Sequence, residues 1–504
     1  MVGYGYQALL CRTGSDKSPR SGSPDFADSS LIPLGAPARM LFDRERGASA
    51  RLLARAACCD VTPRARPVRL AGYALRDAPV STVLDPIEIS ALLLECGAAR
   101  CLIFSFDLML VGTELQDMIL SRLEPLGFGP DQVILLASHT HYAPATDQAC
   151  HRLGLPDLKF VDDTALAAER LVRRILCEQP SEISADIFRG HLNHSINRRR
   201  YWPFPTIGRT HGLRLGSMIF SPNPSGPKDE ETTVVLFRRS DDGQALGVIW
   251  HYTCHPTAVV PVDVISADYP GQVRRGLRER FGQIPCVFAQ GFCGDIPPNI
   301  AASRKAGWRE RLRRIIRTIA SGPLFASPSA EDWTRWSQSL ATKVCDIAQG
   351  GPVKTLSTTS LQTGSAQIPL GDFFRGSTPD KQLAAQIVRI GEELEIVALS
   401  AEVSVAWQRV LDQAMPAPEG RLRLYAGYLG ALYGYLPTAA QVLEGGYEVE
   451  GFQPLFGLSG RFEPALIGPA VVGCVKSAFE NLERAKPDVI ELALSAHGDG
   501  LQDT

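Results

Sequence analysis

Several things are missing from this chain, and each absence removes a class of function. No apolar run approaches the roughly 20 residues that cross a bilayer as a helix. The formal net charge is −2, with 52 Lys and Arg against 54 Asp and Glu, so no basic excess invites nucleic acid as a partner. Twelve cysteines are scattered with none in Cys-x-x-Cys spacing, which argues against a Cys-rich structural zinc site. Cys101, Cys254 and Cys286 sit in apolar runs and read as small buried hydrophobes in a reducing compartment. The start, Met1-Val2-Gly3-Tyr4-Gly5-Tyr6, lacks the charged head and apolar stretch of a secretory signal, so a cytoplasmic location is expected. There is no internal repeat, no Gly-x-x-x-x-Gly-Lys phosphate loop, no dinucleotide-type glycine fingerprint after a strand and no His-Glu-x-x-His helix.

What is present is a globular composition, 45% hydrophobic and 21% charged over 504 residues. That length calls for one large domain with insertions, or two domains. Residues 1–47 are rich in Ser, Gly, Pro and charge and read as a flexible leader. Residues 48–490 read as one domain with inserts around 203–227 and 303–380, and 491–504 as a tail. Strands are expected at Ala56–Cys59, in a hairpin across Gly97, in a second hairpin across Asp241-Asp242-Gly243, at Cys286–Gln290, and in a pair across Gly391-Glu392. Helices are expected at Thr113–Leu123, Ala165–Cys177, Tyr269–Arg280, Trp333–Ala348 and Pro469–Arg484. Pro203–Pro227 reads as a long proline-rich loop, and the basic stretch 303–321 as a helix with a solvated face. The mixture predicts an α/β fold with mixed sheets.

The stretch that organises the chain is Ser138-His139-Thr140-His141. It follows Val133–Ala137, an apolar, β-branched run that reads as a strand of a mostly parallel sheet. Residues two apart on a strand share a face, so both imidazoles are expected to aim the same way, at the strand end where open α/β sheets hold ligands. Taken alone, a His-x-His is more often an ordinary polar pair than a ligand pair. Further along, His251 and His255 straddle the end of a strand that meets Pro256, and His255, nearer that end, is the expected site residue. Gly291 and Gly294 follow the strand at 286–290 and allow close backbone approach. Gly190–Arg200 holds a cluster of potential anion binders, and Glu402 follows the strand at 394–399 and opens a helix through Leu411. Asp107, at a strand end, is either a site-rim residue or, by preference, a turn carboxylate.

Four stretches in this order resemble the neutral, non-lysosomal ceramidases: Ser-His-Thr-His-Tyr-Ala-Pro (138–144), Cys-His-Pro-Thr (254–257), Phe-Ala-Gln-Gly-Phe-Cys-Gly-Asp-Ile-Pro-Pro-Asn (288–299) and Gly-Tyr-Leu-Pro-Thr (434–438). Ser195-Ile196-Asn197-Arg198 also resembles a segment that lines that family's active site. The resemblance implies two stacked, mixed sheets flanked by helices. It implies a Zn2+ ion held by His139, His255, Glu402 and Tyr435, with Tyr433 a near neighbour of the last. His141 would lie close to the water and the substrate oxygen, Arg198 would match the active-site arginine, and Asp295 is counted with the catalytic group. The activity implied is hydrolysis of an amide (N-acyl) bond by metal-activated water, on a small-molecule N-acyl substrate. The family's serine within Gly-Asp-x-Ser-Pro-Asn is replaced here by Pro297, which has no hydroxyl. The family's C-terminal immunoglobulin-like domain and secretory signal are not found. Three readings follow, in this order: a zinc amidohydrolase on an undefined N-acyl substrate, a genuine ceramidase, and a non-catalytic binding protein that keeps the fold.

Overall fold

The computed structural model describes residues 51–484, apart from 74–75, 77, 209–211, 215, 304–311, 313–314, 316, 319–321, 358 and 379. The leader at 1–47, the tail at 491–504 and most of the basic stretch at 303–321 lie outside the described residues.

Near-continuous apolar runs, such as Ala91–Leu94, Leu102–Phe104 and Val133–Ala137, build a nine-stranded sheet whose central strands are buried on both faces. Eight strands run in the spatial order Cys286–Gln290, Ala245–Tyr252, Glu231–Arg239, Ser181–His191, Leu52–Asp60, Glu88–Cys96, Ala99–Phe106, Val133–Ala137, and the short Lys354–Thr355 pairs beside Ser181–His191. Only the pair at each end is parallel, Ala99–Phe106 with Val133–Ala137 and Ala245–Tyr252 with Cys286–Gln290. The expectation of a mostly parallel sheet around Val133–Ala137 is therefore corrected: its own pair is parallel and the centre is antiparallel. The sheet curls until its edge strand Cys286–Gln290 contacts Val133–Ala137 at the opposite edge. That curl is what brings distant strand ends together.

A second, four-stranded sheet runs in the order Leu361–Pro369, Gln382–Ile390, Leu394–Leu399, Leu422–Ala426. The two sheets stack face to face. Leu92, Ile103, Ile134, Val235, Ile249 and Val287 of the large sheet share a core with Val388, Ile390, Ile396 and Leu424 of the small one. Each outer face is covered by helices. Thr113–Leu123 and Leu158–Cys177 cover one half of the large sheet, Asp268–Phe281 and Ala330–Ala348 the other, and Pro464–Arg484 covers the small sheet. The architecture is the expected α/β arrangement of stacked, mixed sheets flanked by helices.

Differences from the sequence expectations have local causes. The second helix starts at Leu158 rather than Ala165, because the Asp157 carboxylate caps it by accepting from the backbone N–H groups of Lys159 and Phe160. The helix of Trp333 starts at Ala330, where Ser329 and Asp332 form a capping box. The last helix starts at Pro464 and continues through Pro469. The stretch 203–227 is not a loop throughout. Thr206–Gly208 pairs with Gly212–Arg214, and Ser217–Asn223 pairs with Asn197–Trp202. These are two-stranded ribbons whose outer edges need no donor, so proline is tolerated there.

Candidate metal centre

Four strand ends deliver the site. The strand Val133–Ala137 stops, and the Ser138 and His139 N–H groups turn to donate to the Phe106 and Leu108 carbonyls at 2.8 and 2.9 Å. His139 then adopts φ +65°, in the left-handed region. The two imidazoles do converge, but strand alternation is not the reason. The left-handed turn at His139 swings the chain so that His141 Nε2 comes to 3.3 Å from His139 Nε2. His255 follows the strand Ala245–Tyr252, and its N–H donates to the Ile296 carbonyl at 2.8 Å. Glu402 opens the short strand Glu402–Val403, which runs parallel to Tyr435–Leu436 in the register Glu402 to Tyr435.

The geometry has one chemical consequence. His139 Nδ1 lies 2.7 Å from the Met109 carbonyl and His255 Nδ1 lies 3.0 Å from the Cys293 carbonyl. A carbonyl only accepts, so each Nδ1 carries a proton, and in the neutral ring each Nε2 then presents a lone pair. Those two Nε2 atoms face each other at 3.0 Å. The Glu402 Oε2 atom, a further acceptor, lies 3.2 Å from His139 Nε2 and 3.7 Å from His255 Nε2. It is buried and has no hydrogen-bond donor. Burial, followed by the neighbouring His139, pushes the pKa of His141 and of His255 well below the usual imidazole value, which keeps both rings neutral. Acceptors this close, with no donor between them, repel one another unless a cation sits among them. Imidazole nitrogen with carboxylate oxygen is the donor set that zinc-type ions favour. The ligand atoms of His139, His141 and His255 all lie within 4.8 Å of one another, so the residues present fit such an ion.

Beside this cluster sits a buried charged layer. Arg198 donates through Nε to Glu448 Oε1 at 2.7 Å and through Nη2 to the Tyr435 hydroxyl at 3.1 Å. Arg199 donates to Glu448 Oε2 at 2.7 Å and to Glu444 Oε2 at 2.9 Å. Burial opposes the charge of Arg198, but Tyr435 and Glu448 outweigh it and hold its pKa well above the ordinary guanidinium value. The anion-binding cluster expected at 190–200 is thus largely neutralised from within. Arg198 is also boxed by the rings of Phe220, Tyr447 and Tyr435, at 4.7, 5.4 and 5.5 Å from its guanidinium carbon.

The remaining candidates fall as follows. The Tyr435 hydroxyl is engaged by Arg198, whereas the Tyr433 hydroxyl is buried with no partner, its ring against Phe373. The Asp295 carboxylate accepts from Val405 N–H at 2.8 Å, Asn197 Nδ2 at 3.1 Å and Gln441 Nε2 at 3.3 Å, so it braces three segments. Burial pushes its pKa to about 6. His251 is off the cluster, with Nε2 at 2.9 Å from the Tyr425 carbonyl. Asp107 accepts from Arg274 Nη1 at 2.6 Å and from Glu88 N–H at 3.0 Å, which makes it a structural carboxylate. Pro297 accepts from Ile196 N–H at 3.0 Å through its carbonyl. The sequence reading missed Glu448 as the partner of Arg198 and Tyr428 as a ring stacked on His139. It also missed the Met109 and Cys293 carbonyls, which no side-chain pattern announces.

Gly72 sets one wall. Its φ is +105°, and a Cβ there would overlap the His141 imidazole. Gly72→Ala is therefore expected to displace His141 and to weaken metal uptake. A zinc titration of that variant beside the parent chain checks this, with an unchanged affinity as the contrary result.

No family model matches the chain, and no curated protein matches it by sequence. Solved structures do match. Neutral ceramidase from Pseudomonas aeruginosa aligns with a TM-score of 0.65 at 16% identity, covering 87% of this chain and 75% of that one. A ceramidase complexed with C2 aligns with a TM-score of 0.64 at 17% identity, covering 86% of this chain and 76% of that one. The chain therefore has a ceramidase-like fold.

Proposed function

We propose that this chain is a metal-dependent hydrolase that cleaves an amide (N-acyl) bond. The observation that carries the proposal is the convergence of His139 Nε2, His255 Nε2 and Glu402 Oε2, three buried acceptors within 3.0–3.7 Å with no donor among them. His139, His255 and Glu402 would hold a zinc-type cation, with Tyr435, paired with Glu402 across the parallel register, as the fourth ligand that the resemblance implies, and His141 Nε2 lies close enough to join them. Such an ion, when bound, polarises a carbonyl and acidifies water. The chain's own groups supply the rest. Arg198 keeps its charge at every working pH and accounts for one lone pair of the Tyr435 oxygen. The phenolic proton of Tyr435 is then available for the oxygen of a substrate carbonyl as negative charge develops on it. His141, if it remains off the metal, is a neutral imidazole suited to carrying a proton between water and the leaving amine. Burial of the whole cluster excludes bulk water and strengthens these interactions.

The likeness in fold to two ceramidases supports an N-acyl substrate and a hydrolytic reaction. Pro297 favours a substrate or a route that needs no serine hydroxyl. It is also the observation that keeps the non-catalytic reading open. The test is a screen of N-acyl compounds, detergent-dispersed ceramide among them, with release of the free acid or amine as the readout. Turnover that is lost in Glu402→Ala is expected. A protein that binds metal yet turns over nothing in the screen would leave only the binding reading.

A further inference from the structure

The segment 427–430 closes the gap between the two edges of the large sheet. Gly427 N–H donates to the Gln290 carbonyl at 2.9 Å on one edge, and Ala137 N–H donates to the Tyr428 carbonyl at 3.1 Å on the other. Tyr428 N–H donates at 3.2 Å to the Ala401 carbonyl, immediately before Glu402. Two segments that deliver ligands, those leading to His139 and to Glu402, and the strand end before Cys293 are thus tied to a dipeptide that contributes no ligand.

The Tyr428 side chain carries the connection further. Its ring stacks on His139 with centroids 4.0 Å apart and planes 26° from parallel. Tyr428 has φ +59° and His139 has φ +65°. A non-glycine residue in that region costs on the order of 1–3 kcal/mol, and it persists only where its surroundings hold it. The Tyr428 hydroxyl lies 3.1 Å from Cys293 Sγ. Cys293 in turn accepts the His255 Nδ1 proton through its carbonyl at 3.0 Å. One chain of contacts therefore runs His139, Tyr428, Cys293, His255, and it links the two imidazoles from behind the site.

We propose that Tyr428, locked by Cys293, is a positioning residue that holds His139 and His255 as one unit and so sets the affinity of the centre for its cation. The inference rests on the metal-centre reading. The ring stops His139 from rotating about its Cβ–Cγ bond, while the Met109 carbonyl fixes its tautomer. The hydroxyl–thiol contact keeps the ring in the plane that His139 requires. Without it His139 is free to relax from its left-handed conformation, and its Nε2 moves away from that of His255. Outer partners of this kind typically contribute about 10–100-fold to metal affinity.

The experiment uses the full chain, depleted of metal and titrated with zinc against a chromophoric chelator. The variants are Tyr428→Leu, Tyr428→Phe and Cys293→Ala, with Tyr433→Phe as a control at a tyrosine equally buried. Tyr428→Leu is expected to weaken zinc binding by about 10–100-fold. Tyr428→Phe and Cys293→Ala, which keep the ring but lose the lock, are expected to fall between it and the parent, and Tyr433→Phe to match the parent. The cobalt-substituted parent and Tyr428→Leu are expected to differ in their visible bands, a change that loss of packing elsewhere would not produce. Should metal-free Tyr428→Leu fail to fold, the two ring-retaining variants decide. Parent-like affinity and parent-like cobalt bands in the variants overturn the proposal and leave the metal centre standing. A parent chain that takes up neither ion overturns both.

Discussion

The chain purified without added metal is expected to carry about one zinc-type cation, and His255→Ala to lose it. This is the largest effect foreseen, because it removes one of two imidazole nitrogens that face each other at 3.0 Å. Loss of an outer partner already costs about 10–100-fold, so loss of a direct ligand is expected to exceed about 100-fold. A second readout needs no knowledge of substrate. A ligand present at a hundred times its dissociation constant stabilises the folded state by about 2.7 kcal/mol. Chelation should therefore lower the melting temperature of the parent chain. In Glu402→Gln the buried, donor-free carboxylate is replaced by an amide whose N–H groups can donate to the imidazoles. Chelation is expected to shift the melting of this variant far less, and its metal-free form to be at least as stable as the metal-free parent. Elemental analysis and thermal melts with and without chelator check both points. No metal in the parent chain, even after zinc is offered, would remove the metal centre.

Glu448→Ala is expected to be the most destabilising single change near the site. Both carboxylate oxygens of Glu448 are engaged, one by Arg198 and one by Arg199, and all three side chains are buried. Removing one partner of a buried ion pair leaves charge without compensation and costs about 3–5 kcal/mol. Here two guanidinium groups lose their acceptor, although Arg199 retains Glu444 and the Gly445 carbonyl. Urea unfolding should show a lower midpoint with an unchanged slope. The effect has a pH signature. Burial alone would raise the Glu448 pKa, but Arg198 and Arg199 outweigh it and hold the group below its ordinary 4.5. A carboxylate with a depressed folded pKa contributes stability that is fully present above the unfolded pKa. That contribution is lost as the pH falls through the folded value. The difference in stability between parent and Glu448→Gln is therefore expected to be largest near neutrality and to shrink below about pH 4.5. A difference that stays constant from pH 7 into the acid range would show that Glu448 is not ionised in the folded chain.

Much of the site could be read from residue types and their places after strands. His139, His141, His255 and Glu402 each follow an apolar run, and the turn residues after each run mark where a strand must end. The preference for His255 over His251 matches their positions, since only a residue past the strand end escapes the ladder and reaches the cluster. Arg198 was legible as a site neighbour, but its acceptor Glu448, 250 residues away, was not. Helix starts were missed where a capping side chain outside the apolar pattern decided them, as with Asp157.

The sequence by itself determined most of the strands and helices around the site, the α/β class with mixed sheets, and which donor types gather at strand ends. These are local properties, set by apolar periodicity and by turn chemistry within a few residues. Only the tertiary structure decided that the two edges of the large sheet curl together, that His139 turns left-handed, and that Tyr428 lies flat against it. Those features come from contacts between residues far apart in the chain. In them the packing of two stacked sheets outweighs local conformational preference, and a strained backbone is held in place by the ring, carbonyls and ion pairs around it.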